Sequence, residues 1–199
     1  MSTDPIDWTY PPPRKGFNGV VDKFVGPGAT TDELLLQTVF PFVATIAALL
    51  YAGYSQPNWS WLQFMICGLL AIDISGGIIT NSTSAAKRWY HREGQGFWNH
   101  FGFTALHLLH LVVVSWVFLD WNYLWIVFSG GYLLGSAIII LSVRTYIQRP
   151  VAMIAFSLSL VLSLYLLESL QGIEWFLPLL YLKLLLCHLL KEEPYQPRR

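Results

Sequence analysis

The sequence predicts an all-α integral membrane protein: a bundle of six transmembrane helices with both termini in the cytoplasm. Three observations predict it. Of the 199 residues, 54% are hydrophobic and 12% charged, about half the charge of a soluble domain, which carries about 25%. Six stretches are apolar enough to cross a hydrocarbon core of about 30 Å, a distance that takes ~20 helical residues. The basic residues then fall on one side of the membrane that those stretches define.

Each element follows in order. Residues 1–33 are polar, contain Pro11-Pro12-Pro13 and lack the apolar run of a cleavable signal peptide. They read as a cytoplasmic arm at the membrane surface. Thr30 and Glu33 match a capping box that starts the first span. The spans run over 34–54, 60–81, 101–119, 122–143, 150–169 and 174–190, a transmembrane domain of residues 34–190. A β-barrel would alternate polar and apolar residues along each strand, and runs such as LLHLVVVSWVFL and AIIILSV do not. The arm, the 82–100 loop, the 144–149 loop and the 191–199 tail share one side. That side carries Arg14, Lys15, Lys23, Lys87, Arg88, Arg92, Arg144, Arg149, Lys191, Arg198 and Arg199. The opposite loops carry only Asp120, Glu168 and Glu174, so the positive-inside rule places both termini in the cytoplasm. Trp59, Trp61, Trp121, Trp125 and Trp175 fall near the far-side ends, as an interfacial aromatic belt requires.

Several function classes drop out. Twelve basic and twelve acidic residues cancel, so there is no cationic field of the kind that binds nucleic acid. Cys67 and Cys187 lie in apolar runs and offer no disulfide framework. No phosphate-binding loop, GxGxxG, CxxC, GxSxG or HExxH occurs.

Ionisable groups inside a span cost about 2.5–3.5 kcal/mol and so mark candidate sites. Asp73, His107, His110 and Lys183 are the clear cases, with His100 and His188 nearer the cytoplasmic ends. At 100° per residue, Asp73, Gly76, Gly77, Thr80, Asn81 and Ser84 share an arc of about 140° on the second span. On the third span His100, Phe103, His107, His110 and Val114 share a face. At 1.5 Å per residue, Asp73, His107, His110 and Lys183 lie roughly 10–15 Å below the cytoplasmic surface. Asn81, His91, His100 and His188 ring the mouth above them. Ideal α-geometry sets Lys183 and His188 about 140° apart, so only one can face a shared site squarely.

Imidazole with carboxylate suits zinc or non-haem iron, so Asp73, His107, His110 and His100 form the candidate metal set, with haem an open alternative. The competing structural reading is a His–Asp clamp between two helices, worth about 0.6 kcal/mol. Lys183 is expected to pair with Asp73 or to join a relay with His188 and Asn81. Lys87, Arg88 and Arg92 are candidates for an anionic head group, at about 1 kcal/mol each, or are the topology signal alone. Gly131 and Gly135 form a GxxxG face for close packing, a homo-oligomer or a partner membrane subunit. Ser157, Ser159 and Ser163 are expected to hydrogen-bond between helices, and Pro178 to kink the last one.

His107-Leu-Leu-His110-Leu resembles half of one histidine box of the membrane di-iron desaturases and hydroxylases. The second box histidine is absent, and five histidines cannot fill that ligand set. Asp73-Ile-Ser-Gly-Gly resembles a stretch of the plasmanylethanolamine desaturases, but Thr80-Asn81 stands about where those have His-Trp. The chain is assigned to neither. Three functions stay open: a metal-dependent membrane enzyme acting on a lipid from the cytoplasmic side; a non-enzymatic accessory subunit or lipid-binding scaffold; and a proton-coupled carrier. The lack of any visible internal repeat weighs against the last.

Overall fold

The computed structural model describes residues 5–56, 58–168 and 170–195, so the expectation for Arg198 and Arg199 lies outside the described residues. Among the described residues the chain is helical, with one isolated antiparallel bridge between Ile6 and Tyr195. Five helical segments are long and apolar enough to cross a membrane. They are α2 (Thr31–Ser55), α3 (Trp61–Ser82), the pair α5 (Phe97–Leu106) and α6 (Leu108–Phe118), α7 (Tyr123–Ser142), and α8 (Thr145–Val161) with its extension to Leu166. Two short helices, α1 (Phe17–Val25) and α4 (Ser84–Tyr90), lie at one end.

The starts of α2 and α3 are written in their first residues. Thr30 Oγ1 accepts from Glu33 N at 3.2 Å and Glu33 Oε2 accepts from Thr30 N at 2.8 Å, the expected capping box. Ser60 and Gln63 build a second one on α3. The free Glu33 oxygen accepts from Ala85 N at 3.0 Å, which ties α2 to α4. Gly26, at φ 93°, packs so close that a Cβ there would lie 2.3 Å from the Ala85 carbonyl carbon. Only glycine satisfies both the left-handed backbone and that approach.

The expected sixth span is different in kind. α9 (Phe176–Tyr181) runs on as a π-helix over Leu182–His188, 13 residues in all. At ~1.5 Å per residue that is about 20 Å, short of a full hydrocarbon core. Its side chains explain why. Phe176, Leu180, Tyr181, Leu184 and Leu185 are fully buried, so α9 is the hub on which α3, α7 and α8 pack. A hub finishes its ends inside protein. Lys87 of α4 does so here, donating to the carbonyls of Cys187 and Leu190 at 2.7 Å each, a cation at a helix C-terminus.

Several smaller expectations change. Of the tryptophans expected at the far side, Trp61 and Trp121 are exposed, Trp125 is buried, and Trp59 packs on Phe64 and Phe118. Ser159 and Ser163 donate to carbonyls of their own helix, Phe156 and Ser159, rather than across to a neighbour. An added Cβ at Gly131 or Gly135 meets nothing within 4 Å, so no element among the described residues covers those two positions.

Candidate functional site

α3 carries its polar stripe toward α2 on one side and α9 on the other. Asp73 sits mid-helix with Gly76 and Gly77 one turn on, and the glycines set the geometry. An added Cβ at Gly77 would lie 2.2 Å from Lys183 Cε, so the lysine stem lies directly on the α3 backbone where only a hydrogen fits. Its ammonium reaches Asp73 Oδ2 at 2.6 Å and the Asp73 carbonyl at 3.3 Å. From α6, His110 Nε2 donates to the same Oδ2 at 3.0 Å. Three helices thus meet at one carboxylate.

The third segment is not one smooth helix. It breaks at His107, whose N–H reaches Thr104 O at 3.1 Å in a tighter turn. The His107 ring donates from Nδ1 to Phe103 O at 2.8 Å and stacks on the His110 ring, centroids 5.0 Å apart and planes 10° apart.

A second cluster forms nearer the end of the bundle. His188 Nδ1 pairs with Asn81 Oδ1 at 3.2 Å, and its Nε2 with His100 Nδ1 at 3.3 Å. Phe103 stacks on His188 and His91 on His100, with centroids 4.1 and 4.5 Å apart. His91 Nε2 donates to the His188 carbonyl at 3.1 Å. Burial, aided by the neighbouring His100 and Lys87, pushes the His91 pKa down to about 3.

A cavity of about 660 Å³ opens beside the first cluster. Phe42, Pro41 and Thr38 of α2, Ile72 and Asp73 of α3, and Leu106, His107 and His110 line it, with Lys183 at its inner wall and Phe24 of α1 at its rim. The walls are mostly apolar, with Gln37 and Thr38 on the α2 side, and the charged and imidazole groups converge at one place, the form of a ligand site for an amphipathic molecule.

No family model, curated protein or solved structure matches this chain. Function therefore rests on the geometry.

The structure divides the expected metal set. Asp73 and His110 touch, His107 stacks alongside them, and His100 belongs to the second cluster. Among the described residues, no group of three or more His, Cys, Asp or Glu side chains is arranged to hold a metal ion. The cation at Asp73 is the Lys183 ammonium. Asn81 and His188 join each other rather than Lys183.

The expected head-group residues also move. Lys87 and Arg88 are buried, at 3% and 2% exposed. The Lys87 ammonium serves main-chain carbonyls and lies 3.5 Å from Glu192, and burial pushes its pKa down. Arg92 lays its guanidinium 3.7 Å from the Trp89 ring centroid. The Lys-Arg run reads as basic, but the α4 helix turns its first two charges into the protein.

One signal was beyond α-helical reasoning. In the π-helix the i→i+5 hydrogen bonds, such as Leu189 N to Leu184 O at 3.1 Å, turn residues five apart toward the same side of the helix. Lys183 and His188 are five apart, so both face α3, one reaching Asp73 and the other Asn81.

Proposed function

We propose that this chain is a six-span membrane protein with cytoplasmic termini that takes an amphiphile from the cytoplasmic leaflet into the cavity between α2, α3 and α5–α6. The observation that carries the reading is the cavity itself. It is large enough for a lipid head and the first part of a chain, mostly apolar on its walls and charged at its floor. A carboxylate, an ammonium and two imidazoles at that depth are costly in lipid, and a site that binds a polar head accounts for their retention better than a packing clamp does.

Topology supports the leaflet. The Ile6–Tyr195 bridge and the Asp7 N to Pro194 O bond of 3.0 Å bring the two ends of the described chain together. Ends that meet fit an even number of crossings, which supports counting α9 and its π-helical continuation as the sixth despite their length. The positive-inside rule then orients the pair. Zinc or iron is not part of this proposal, because Lys183 already supplies the positive charge at Asp73.

The test is extraction and mass spectrometry of lipids retained by protein purified in mild detergent, compared with Thr38→Trp, which fills the cavity. A lipid retained near stoichiometrically by the wild type and lost from the variant supports the reading. Equal lipid content in both, with the variant folded, overturns it. Elemental analysis of the same samples checks the metal expectation.

A further inference from the structure

The hydrogen-bond directions at the cavity floor are fixed by partners that can only accept. A carbonyl cannot donate, so His107 Nδ1 carries the proton in its 2.8 Å bond to Phe103 O. In the neutral ring Nε2 is then a bare lone pair, and His107 lines the cavity. A carboxylate cannot donate either, so His110 Nε2 gives its proton to Asp73 Oδ2. In the neutral ring that leaves His110 Nδ1 as an acceptor, buried and without a partner among the described residues. Asp73 commits Oδ2 to both Lys183 and His110, while Oδ1 has no partner among the described residues and the side chain is 44% exposed. Lys183, the one ammonium among the residues that line the cavity, is 3% exposed and spends two of its three donors on the Asp73 carboxylate and carbonyl. Gln37 of α2 also lines the cavity with both amide atoms buried and without partners among the described residues, one donor and one acceptor. At the floor itself Asp73, His107 and His110 offer free acceptors, and the one ammonium is engaged by Asp73.

The geometry points to an amphiphile whose head group donates hydrogen bonds, a long-chain alcohol or a long-chain amine, with the hydroxyl or ammonium donating to Asp73 Oδ1 and His107 Nε2. This rests on reading the cavity as an amphiphile site and adds the chemistry of the head. A hydroxyl has one proton to give and an ammonium three, so the amine satisfies both acceptors at once. A carboxylate or phosphate head would bring oxygens against Asp73 and the bare imidazole nitrogens, with no free cation to meet it. Phe42, Ile72 and Leu106 provide the apolar surface for the chain.

The test uses the full chain in nanodiscs and a photoreactive hexadecanol carrying a diazirine on its chain. Cross-linked peptides are mapped, and the label is then competed by hexadecanol, hexadecylamine, hexadecyl methyl ether and palmitate. Expected are cross-links in the 34–55 and 97–118 segments. The alcohol should compete about tenfold better than the methyl ether, as one hydrogen bond lost to a buried acceptor implies, and the amine at least as well as the alcohol. His107→Phe should shrink the alcohol-to-ether ratio severalfold. An ether equal to the alcohol, or palmitate as the best competitor, overturns the head-group assignment while leaving the cavity reading intact. Absence of cross-links in those segments overturns the cavity reading itself. The wild-type competition decides the question even where the variant fails to fold.

Discussion

Replacing Gly77 by alanine should destabilise the protein, against the usual sign of that substitution. In a helix interior, alanine for glycine normally gains about 0.5–1 kcal/mol. Here the new Cβ would stand 2.2 Å from Lys183 Cε and 2.9 Å from both Cδ and Nζ. A flexible stem could step aside, but this one is pinned by the 2.6 Å bond to Asp73. Overpacking alone costs about 1–3 kcal/mol. Displacing the ammonium adds part of the ~3–5 kcal/mol of a broken buried pair, discounted because the Asp73 side chain is 44% exposed. Set against the propensity gain, the net expectation is about 2–4 kcal/mol of destabilisation. Equilibrium unfolding by steric trapping in bicelles measures it. Gly76→Ala is the control, since its Cβ would meet Pro41 Cγ at an ordinary 3.5 Å. Lys183→Ala supplies the cycle: on that background Gly77→Ala should recover its usual small gain. A Gly77→Ala protein as stable as the wild type, or costs that simply add in the double variant, would refute the packing of Lys183 on α3.

Three further outcomes follow from the same contacts. His91 is buried beside His100, Lys87 and Lys191, and its pKa of about 3 lies below the ordinary 6.5. The unfolded chain takes up this proton first, so stability is full above about pH 6.5, falls as pH drops below it, and the loss is complete near pH 3. A thermal-shift series should show the gap between wild type and His91→Gln, which keeps a donor for the His188 carbonyl, changing across that window; a constant gap would count against it. Glu33→Ala should cost more than Thr30→Ala, about 2 against about 1 kcal/mol, because Glu33 serves both the cap and Ala85 N. Equal losses on thermal unfolding would remove the α2–α4 tie. Finally, single cysteines at Tyr10 and Glu193, in a background without Cys67 and Cys187, should react with an impermeant maleimide from the same side, and one at Asp120 from the other. Labelling of Tyr10 and Glu193 sites from opposite sides would reduce the crossings to five.

What could be read from the sequence, and what could not, separates along physical lines. Hydropathy reports apolar length, so it located the five helices long and apolar enough to cross a membrane to within a few residues. Residues 174–190 differ in kind, since their apolar side chains bury α9 and its π-helical continuation among α3, α7 and α8. Depth along a helix depends only on rise per residue, so the level shared by Asp73, His110 and Lys183 was legible. Azimuth depends on residues per turn, and there the reading failed where the helix changes type. Burial of Lys87 and Arg88 was hidden for a related reason: charge in a loop signals topology whether or not a short helix folds it inward. The π-helix is the informative failure. It gives up regular α-hydrogen bonding over Leu182–His188 and in return brings Lys183 and His188 to the same side, each against a polar partner on α3. Irregular turns of this kind occur frequently at functional sites. A helix wound to deliver its ammonium to the floor of a cavity is what the amphiphile reading requires, whereas a helix needed only as packing core could have stayed α.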